Sequence, residues 1–352
     1  MSKKEIELFV PGRLCLFGEH SDWAGGHRRQ NSDIEKGYVI VSPTNQGNYA
    51  RVKKLDTPQF QFISKPLSES INMKMDLESL VKIAEGGGIF SYVAGVAQEI
   101  ISSYDHFEGK GLLIENYKTD LPLKKGLSSS ASICVLTAKA FNEVYGFKFT
   151  PKRIMELAYL GEIATPSRCG KMDQACAFDQ PVLMTFDGDK MSVDKLEVGR
   201  ELYFLIVDLK KGKDTKKILS DLNQGFPWPR NKLEENKHEY FKKNKKIVND
   251  ARERLKEGDA EFIGDLMNFS QYCFDKYLAI ASPEELTAPV LHSVLSMEEI
   301  KSFIYGGKGV GSGGDGTAQL ICKSKEDREK AKKILIEKRF ECLDLDLKET
   351  KN

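Results

Sequence analysis

Residues 121–145 have the sequence LPLKKGLSSSASICVLTAKAFNEVY, in which a glycine turn runs into three serines and then into a helical pattern. Pro122 and Gly126 mark the turn, and the serines at 128–130 are of a type that caps helix N-termini. A helix N-terminus carries unpaired amides and a partial positive charge, so it can bind an anion such as phosphate. Taken alone, the stretch fits an ordinary serine-capped helix and a phosphate-binding helix equally well.

Length and charge limit the classes of function. The chain has 352 residues, of which 40% are hydrophobic and 30% charged, enough for a sizeable core and for two domains rather than one. Its 53 basic and 52 acidic residues give a formal net charge of +1. Since no overall field would attract nucleic acid or an anionic membrane, we expect neither as a partner. A small neutral or anionic metabolite is the simpler ligand.

Cysteine usage and hydropathy indicate the compartment. The seven cysteines are scattered and form no C-x-x-C pair, which is typical of reduced thiols and predicts neither a disulfide framework nor a zinc site. The first 13 residues contain no apolar signal region, and no later segment approaches the roughly 20 apolar residues that span a bilayer. We therefore expect a cytoplasmic protein.

The N-terminal region predicts two short strands and a polar loop. Residues 5–10 have the pattern of a strand that Pro11 and Gly12 end, and a second strand is predicted at residues 14–17. The following loop contains three polar side chains, those of Glu19, His20 and Asp22. Such groups at the end of a buried strand suit recognition of a polyhydroxylated ligand, although a solvated acidic turn has the same composition.

A polar insertion, HRRQNSDIEK at residues 27–36, follows this loop. Arg28 and Arg29 are typical of a solvated surface pair. Their closeness in sequence to Asp22 leaves open a second hypothesis, in which one guanidinium binds the carboxylate of an acidic sugar.

The later chain predicts helices at residues 88–104, 152–163, 228–256 and 259–278 and strands at 112–115 and 202–207. Asp173 follows a glycine turn, where a carboxylate serves as a helix cap, as a salt-bridge partner or as a catalytic base. A literal G-x-G-x-x-G occurs at Gly309, Gly311 and Gly314, but a helix is predicted before it, at 297–305, and a strand after it, at 318–322. This order is the reverse of a dinucleotide-binding unit.

Three stretches in combination resemble the motifs of the GHMP small-molecule kinases. They are PGRLCLFGEHSDWAGG at 11–26, PLKKGLSSSAS at 122–132 and KGVGSGGDG at 308–316. Two further stretches, SYVAGV at 91–96 and RCGKMDQA at 168–175, are similar to motifs of the galactokinase-like subgroup. The matches follow the family order and span most of the chain.

The resemblance implies a role for each matching residue. It makes Asp173 the candidate catalytic base and Arg13 its charged neighbour, and it assigns Mg²⁺ to Glu162 with Ser129 or Ser130. The implied sugar-binding residues are Glu19, His20 and Asp22. The implied ATP-phosphate-binding residues are Gly126, Leu127, Ser128, Ser129 and Ser130 of the serine loop and Gly311, Gly313 and Gly314 of the glycine motif.

The implied fold is α+β, in a two-domain GHMP kinase arrangement. Residues 1–200 would form an N-terminal domain like ribosomal protein S5 domain 2, with the phosphate-binding loop, and residues 201–352 a ferredoxin-like domain with the glycine-rich motif. The implied activity is ATP- and Mg²⁺-dependent phosphorylation of a monosaccharide, at the anomeric hydroxyl, by a monomer or homodimer. Two alternatives stay open: a kinase of mevalonate or another alcohol, since Lys308 resembles the mevalonate kinase glycine motif, and a non-catalytic sensor of ATP and sugar.

Overall fold

A computed structural model describes residues 5–104, 107, 109–121, 127–167 and 169–350. The strands are β1 (Ile6–Phe17), β2 (Gly37–Leu55), β3 (Gln59–Ser64), β4 (Glu69–Lys74), β5 (Gly111–Thr119), β6 (Val182–Asp187), β7 (Lys190–Lys195), β8 (Leu202–Asp208), β9 (Ile304–Gly309), β10 (Thr317–Cys322) and β11 (Glu341–Leu347). The helices are α1 (Ser21–Gly26), α2 (Leu77–Glu85), α3 (Ile89–Ser103), α4 (Ser129–Tyr145), α5 (Pro151–Ile163), α6 (Thr215–Asn223), α7 (Lys232–Glu257), α8 (Ala260–Tyr277), α9 (Pro283–Leu286), α10 (Pro289–Leu295), α11 (Glu298–Lys301) and α12 (Lys325–Glu337). The predicted α+β class is confirmed.

Local capping determines several helix ends. Thr150 Oγ1 accepts a hydrogen bond of 3.2 Å from the N–H of Arg153 at the start of α5. Asn231 caps α7 in the same way, and α7 ends at Gly258, whose φ of 69° is a left-handed conformation that glycine adopts without steric cost. Because such signals lie within a few residues of the helix, the predicted helices at 152–163 and 228–256 lie close to α5 and α7.

The chain separates by its internal contacts into two compact units. The first comprises Met1–Arg13 and Pro43–Asp179, and the second comprises Leu14–Ser42 and Gln180–Asn352. Strands β1 and β2 each contribute residues to both units. The sequence-based domain boundary at residue 200 stays a prediction.

In the first unit, a sheet with the strand order β4-β3-β5-β2 packs against helices. Strand β3 is parallel to β5, whereas β3 and β4 pair antiparallel, as do β2 and β5. The fully buried Phe60 and Phe62 of β3 contact Phe141 of α4 and Phe90 of α3, with ring centroids 5.6 and 6.4 Å apart. This core holds α4, whose first residues, Ser129 and Ser130, belong to the serine loop.

The prediction that Pro11 and Gly12 end a strand is wrong, because β1 runs through both residues. A Cβ added at Gly12 would lie 2.7 Å from the carbonyl oxygen of Leu127. The glycine therefore permits a close approach between β1 and the serine loop, and it does not form a turn.

In the second unit, residues 37–41 of β2 pair with β6, and β6 forms an antiparallel hairpin with β7. A separate antiparallel sheet has the strand order β11-β8-β10-β9. Its apolar core includes Leu205, Leu320 and Leu335, which are completely buried. In the part of the chain that the structure describes, no helix combines the length and the apolar composition needed to cross a membrane.

The predicted helix at 297–305 is wrong. Only Glu298–Lys301 is helical there, and the strand β9 begins at Ile304. Gly306 of β9 lies against α8, since a Cβ at this position would lie 2.2 Å from the carbonyl oxygen of Gly264. The glycine motif thus joins two antiparallel strands, β9 and β10, so it still differs from the strand–glycine–helix order of a dinucleotide site.

Candidate active site

The structure brings Arg13 and Asp173 together in the first unit, 160 positions apart in sequence. Arg13 lies on β1 with its side chain 6% exposed, and Asp173 begins a 3₁₀ turn with its side chain 19% exposed. The Arg13 Nε donates a hydrogen bond of 3.1 Å to Asp173 Oδ1, and Arg13 Nη2 contacts the same oxygen. The candidate base and its charged neighbour therefore form a direct ion pair.

The serine loop contacts this ion pair. Ser128 has a left-handed backbone (φ 55°, ψ 55°), and its hydroxyl donates a hydrogen bond of 3.1 Å to Asp173 Oδ1. Although Ser128 occupies the N-cap position of α4, its side chain makes no capping hydrogen bond. The carbonyl of Leu127 accepts a hydrogen bond of 3.1 Å from the N–H of Arg13. Gly126, predicted to bind phosphate, lies outside the described residues.

Glu162 lies near the end of α5 and is 1% exposed. Gln174 Nε2 donates a hydrogen bond of 2.8 Å to Glu162 Oε2, and Ser167 Oγ donates one of 3.3 Å to Oε1. Burial raises the pKa of Glu162, a hydrogen bond from Ser130 opposes this increase, and the negative charge of Asp173 adds to it. Sequence reasoning had missed Gln174, which stands next to Asp173 in the motif RCGKMDQA.

The surroundings of Glu162 fit a hard divalent cation. The carboxylate of Glu162 and the hydroxyl of Ser130 are oxygen donors that Mg²⁺ prefers. Gln174 adds a buried Oε1 atom that has no hydrogen-bond partner within the described part of the chain. Among all the residues that the structure describes, no group of three or more His, Cys, Asp or Glu side chains is arranged to hold a metal. Ser129, the other predicted ligand, is the first residue of α4.

In the second unit, Glu19 forms a buried ion pair with Lys308 that sequence reasoning had missed. Both side chains are less than 5% exposed, and Lys308 Nζ donates to Glu19 Oε1 and, over 2.9 Å, to the carbonyl oxygen of Gly309. The signal was the lysine at the start of the glycine motif, but its partner is 289 positions away in sequence. A small cavity beside the pair is lined by Tyr240, Ser270, Gln271, Phe274 and the glycine motif.

His20 is neutral, and its tautomer follows from its partners. Trp23 Nε1 donates a hydrogen bond of 3.1 Å to His20 Nδ1, so the ring proton is on Nε2, which faces the carbonyl oxygen of Ser312 at 3.4 Å. Burial lowers the pKa of His20 to about 4, and the charges of Lys213 and Lys308 act in the same direction. His20 thus connects the residues after β1 with the glycine motif. Asp22 lies on the short helix α1 and not in a loop, and it is also buried.

The glycine motif forms a tight loop between β9 and β10. Gly311, Gly313 and Gly314 have φ values of 70°, 82° and 71°. Lys213 Nζ donates a hydrogen bond of 2.6 Å to the carbonyl oxygen of Gly313. A Cβ added at Gly313 would lie 2.4 Å from Cζ of Phe274. Packing within the second unit therefore accounts for this glycine, and phosphate binding by the loop stays a prediction.

The insertion at 27–36 is bound to its own unit. Arg28 Nε donates a hydrogen bond of 2.6 Å to Asp187 Oδ1, and its Nη1 donates to the carbonyl oxygens of Ser32 and Ile34. Arg29 forms an exposed pair with Asp189, at 3.3 Å, and its Nε donates a hydrogen bond of 3.2 Å to the carbonyl oxygen of Gly26. Because the guanidinium of Arg28 is occupied by these protein acceptors, the structure favours the surface interpretation of the two arginines over recognition of an acidic sugar.

Comparison with known proteins gives results that agree with this geometry. The family model for the GHMP kinases N terminal domain matches residues 91–180, a range that includes the serine loop, Glu162 and Asp173. The galactokinase of Thermotoga maritima is 25% identical over 369 aligned positions, which cover 95% of each chain. The galactokinase of Pyrococcus furiosus is 26% identical over 95% of this chain and 92% of its own.

Solved structures share the fold. The mevalonate kinase of Methanococcus jannaschii matches with a TM-score of 0.75 and 21% identity, covering 100% of this chain and 99% of its own. The Lactococcus lactis galactokinase complexed with galactose matches with a TM-score of 0.71 and 16% identity, covering 98% and 94%. The predicted GHMP kinase fold is confirmed: residues 91–180 match the N-terminal domain of the GHMP kinases, and the proteins that resemble this chain over most of its length are kinases, which are phosphotransferases.

Proposed function

We propose that this protein is a sugar kinase, which transfers the γ-phosphoryl group of ATP to the anomeric hydroxyl of a monosaccharide. The observation that carries the proposal is the ion pair between Arg13 and Asp173, with Ser128 donating to the same carboxylate oxygen. The name galactokinase, carried by relatives that align over most of the chain, supports a sugar as the acceptor. A small number of residues then accounts for the reaction.

In this proposal, Asp173 accepts the proton of the attacking hydroxyl. The hydroxyl oxygen forms a bond to the γ-phosphorus while the bond from that phosphorus to the bridging oxygen of ADP breaks, so the products are a sugar phosphate and ADP. Phosphoryl transfer requires alignment and charge stabilisation more than covalent help from the protein. Arg13 fixes the carboxylate of Asp173, and its positive charge lies beside the reacting groups.

The phosphates of ATP are assigned to backbone amides. The amides of Gly126 to Ser130 are assigned to them on the resemblance to the family motif, and the 17-residue helix α4 adds the partial positive charge of its N-terminus. Gly311, Gly313 and Gly314 are assigned further phosphate contacts on their resemblance to the family motif.

Magnesium is proposed to bind Glu162 and the hydroxyl of Ser130 or Ser129. When bound, the ion would neutralise charge on the phosphates. The protein contributes hard oxygen ligands, and Gln174 and Ser167 orient the Glu162 carboxylate by donating hydrogen bonds to it.

The acceptor sugar is assigned to Glu19, His20 and Asp22. Lys308 neutralises Glu19 and occupies one of its oxygens, and His20 is uncharged, so these two side chains suit neutral hydroxyl groups better than a charged ligand. The protein is proposed to act in carbohydrate metabolism in the cytoplasm.

A second candidate is a kinase of mevalonate or a related alcohol. Lys308 favours it, because a lysine at this place in the glycine motif resembles the mevalonate kinase sequence, and the M. jannaschii mevalonate kinase shares the fold over the whole chain. A non-catalytic sensor is disfavoured, since Asp173, Arg13, Glu162 and the serines are all present.

The test is an ADP-release assay with purified protein, ATP and Mg²⁺ over a panel of neutral monosaccharides, uronic acids and mevalonate. We expect turnover with a neutral monosaccharide, and ³¹P NMR of the product would identify an anomeric phosphate. Turnover with mevalonate alone would select the second candidate. Binding of ATP and a sugar without ADP release would indicate a sensor.

A further inference from the structure

The two carboxylate oxygens of Asp173 differ in their surroundings. Oδ1 is contacted by three donors: Arg13 Nε at 3.1 Å, Arg13 Nη2, and the hydroxyl of Ser128 at 3.1 Å. From the residues that the structure describes, Oδ2 receives no hydrogen bond. One oxygen is thus held by the protein, and the other is left for an external donor.

The backbone of Ser128 is unfavourable for a serine. A left-handed conformation brings the Cβ of an ordinary residue too close to its own backbone, whereas glycine adopts it freely. A serine at an N-cap normally offsets its cost by accepting a hydrogen bond from the first turn of the helix, and Ser128 makes no such bond. Its hydroxyl instead donates to Asp173, so the contact that this side chain contributes is with the candidate base.

We propose that Ser128 is a positioning residue for Asp173, a role that rests on the proposed function of Asp173 as the base. Arg13 approaches Oδ1 from β1 and Ser128 approaches it from the start of α4. Donors on two separate elements oppose rotation of the carboxylate about its Cβ–Cγ bond, so Oδ2 keeps one orientation toward the substrate hydroxyl. This role differs from phosphate binding, which the sequence motif suggested for Ser128.

The variant Ser128→Gly tests the role, because it removes the hydroxyl and suits the left-handed backbone. We expect kcat to fall about 10-fold, the effect of losing one hydrogen bond to a charged group, while KM for ATP stays within about 2-fold and Tm does not fall. The matched control is Lys148→Gly, since Lys148 is exposed and has a similar φ of 59°. A raised KM for ATP with unchanged kcat would assign Ser128 to phosphate binding and overturn the proposal, as would unchanged kinetics.

A double-mutant cycle separates action through Asp173 from an independent effect. In the Asp173→Asn background, Ser128→Gly should cause no further loss of kcat, because the group that it positions is already inactive. A further loss of about 10-fold in that background would overturn the proposal.

A crystal structure of Ser128→Gly gives a measurement that does not depend on activity. We expect the Asp173 carboxylate to rotate or to occupy more than one conformer while its contact with Arg13 persists. An Asp173 carboxylate unchanged from the wild type would overturn the positioning role. If the wild type phosphorylates no compound of the panel, the proposed function fails, and the crystal structure still decides whether Ser128 orients the carboxylate.

Discussion

Asp173 and Glu162 are neighbouring carboxylates that the protein treats differently. Asp173 is paired with the guanidinium of Arg13, whereas the side chains that donate hydrogen bonds to Glu162, those of Ser130, Gln174 and Ser167, are neutral. A buried carboxylate with neutral partners keeps an uncompensated negative charge, and this is why burial raises the pKa of Glu162. A bound divalent cation would supply the missing positive charge, which is consistent with a metal-binding role for Glu162.

The role of Asp173 as a base predicts the effect of Asp173→Asn. The amide cannot accept the hydroxyl proton, so we expect kcat to fall by roughly 10²–10⁴ with the affinity for ATP nearly unchanged. ADP release would measure the first quantity and equilibrium titration with ATP the second. Since the substitution leaves Arg13 without its carboxylate partner, Tm should be recorded for each preparation. Turnover close to that of the wild type would remove Asp173 from the mechanism.

The role of Glu162 as a metal ligand predicts a change in the Mg²⁺ requirement. Glu162→Gln keeps the size of the side chain and its ability to hydrogen-bond with Gln174, but it removes the charge that binds the cation. We expect the Mg²⁺ concentration for half-maximal activity to rise roughly 10- to 100-fold.

Ser129→Ala and Ser130→Ala, titrated in parallel, would identify the hydroxyl ligand. The hydrogen bond between Ser130 and Glu162 leads us to expect the larger shift for Ser130→Ala. Mg²⁺ titrations that overlay for wild type and all three variants would contradict the metal assignment.

Elements whose signals are local were predictable from sequence, and elements that depend on distant contacts were not. The caps of α5 and α7 lie within a few residues of each helix, and both helices were predicted. Strand β9 was missed because its sequence, IYGGKG, contains three glycines and no alternating apolar pattern, and Gly306 packs against Gly264 of α8, a contact that sequence alone does not reveal.

The same reasoning applies to the candidate site. No local pattern connects Arg13 with Asp173, and the pairing was inferred from the resemblance of two separate motifs to one family. No motif linked Lys308 to Glu19, so that ion pair became evident only in the structure. The hydrogen bond from Ser128 to Asp173 depends on a left-handed backbone that sequence alone gave no reason to expect.

His20, which connects the residues after β1 with the glycine motif, predicts that the stability of the protein depends on pH. The pKa of His20 is lowered to about 4 in the folded chain, below its ordinary value of 6.5. The unfolded chain therefore binds more protons between these values, so stability is retained above pH 6.5 and lost as pH falls from 6.5 toward 4. The loss from this group is on the order of 3 kcal/mol. The nearby positive charges of Lys213 and Lys308 oppose protonation of the His20 ring.

His20→Asn would test this assignment by thermal unfolding at several pH values. Asparagine tolerates the left-handed backbone of residue 20 and keeps an acceptor for Trp23, but it does not titrate. We expect Tm of the variant to depend less on pH between 6.5 and 4 than Tm of the wild type. Parallel curves for the two proteins would mean that another group causes the acid sensitivity.

The charge of the whole molecule bears on which substrate it selects. With 53 basic and 52 acidic residues, the chain has no overall excess of positive charge to attract an acidic sugar. The two arginines that could have supplied a local excess are paired with Asp187 and Asp189. Further contacts hold the rest of the insertion: His27 with Asn223, Asn31 with Pro227 and Glu35 with Lys245.

These contacts predict that Arg28 stabilises the protein and does not select the substrate. Arg28→Ala removes three hydrogen bonds, so Tm should fall by roughly 3–6 °C, while the ratio of kcat/KM for a neutral hexose to that for the corresponding uronic acid should stay within about 2-fold. Arg29→Ala is the matched control: its pair with Asp189 is exposed, and such pairs contribute about 0–1 kcal/mol. A selective loss of activity toward the uronic acid in Arg28→Ala alone would mean that the guanidinium leaves Asp187 to bind substrate. In that case the insertion would belong to the active site, because a change in charge that affects only stability lowers kcat/KM for both sugars equally.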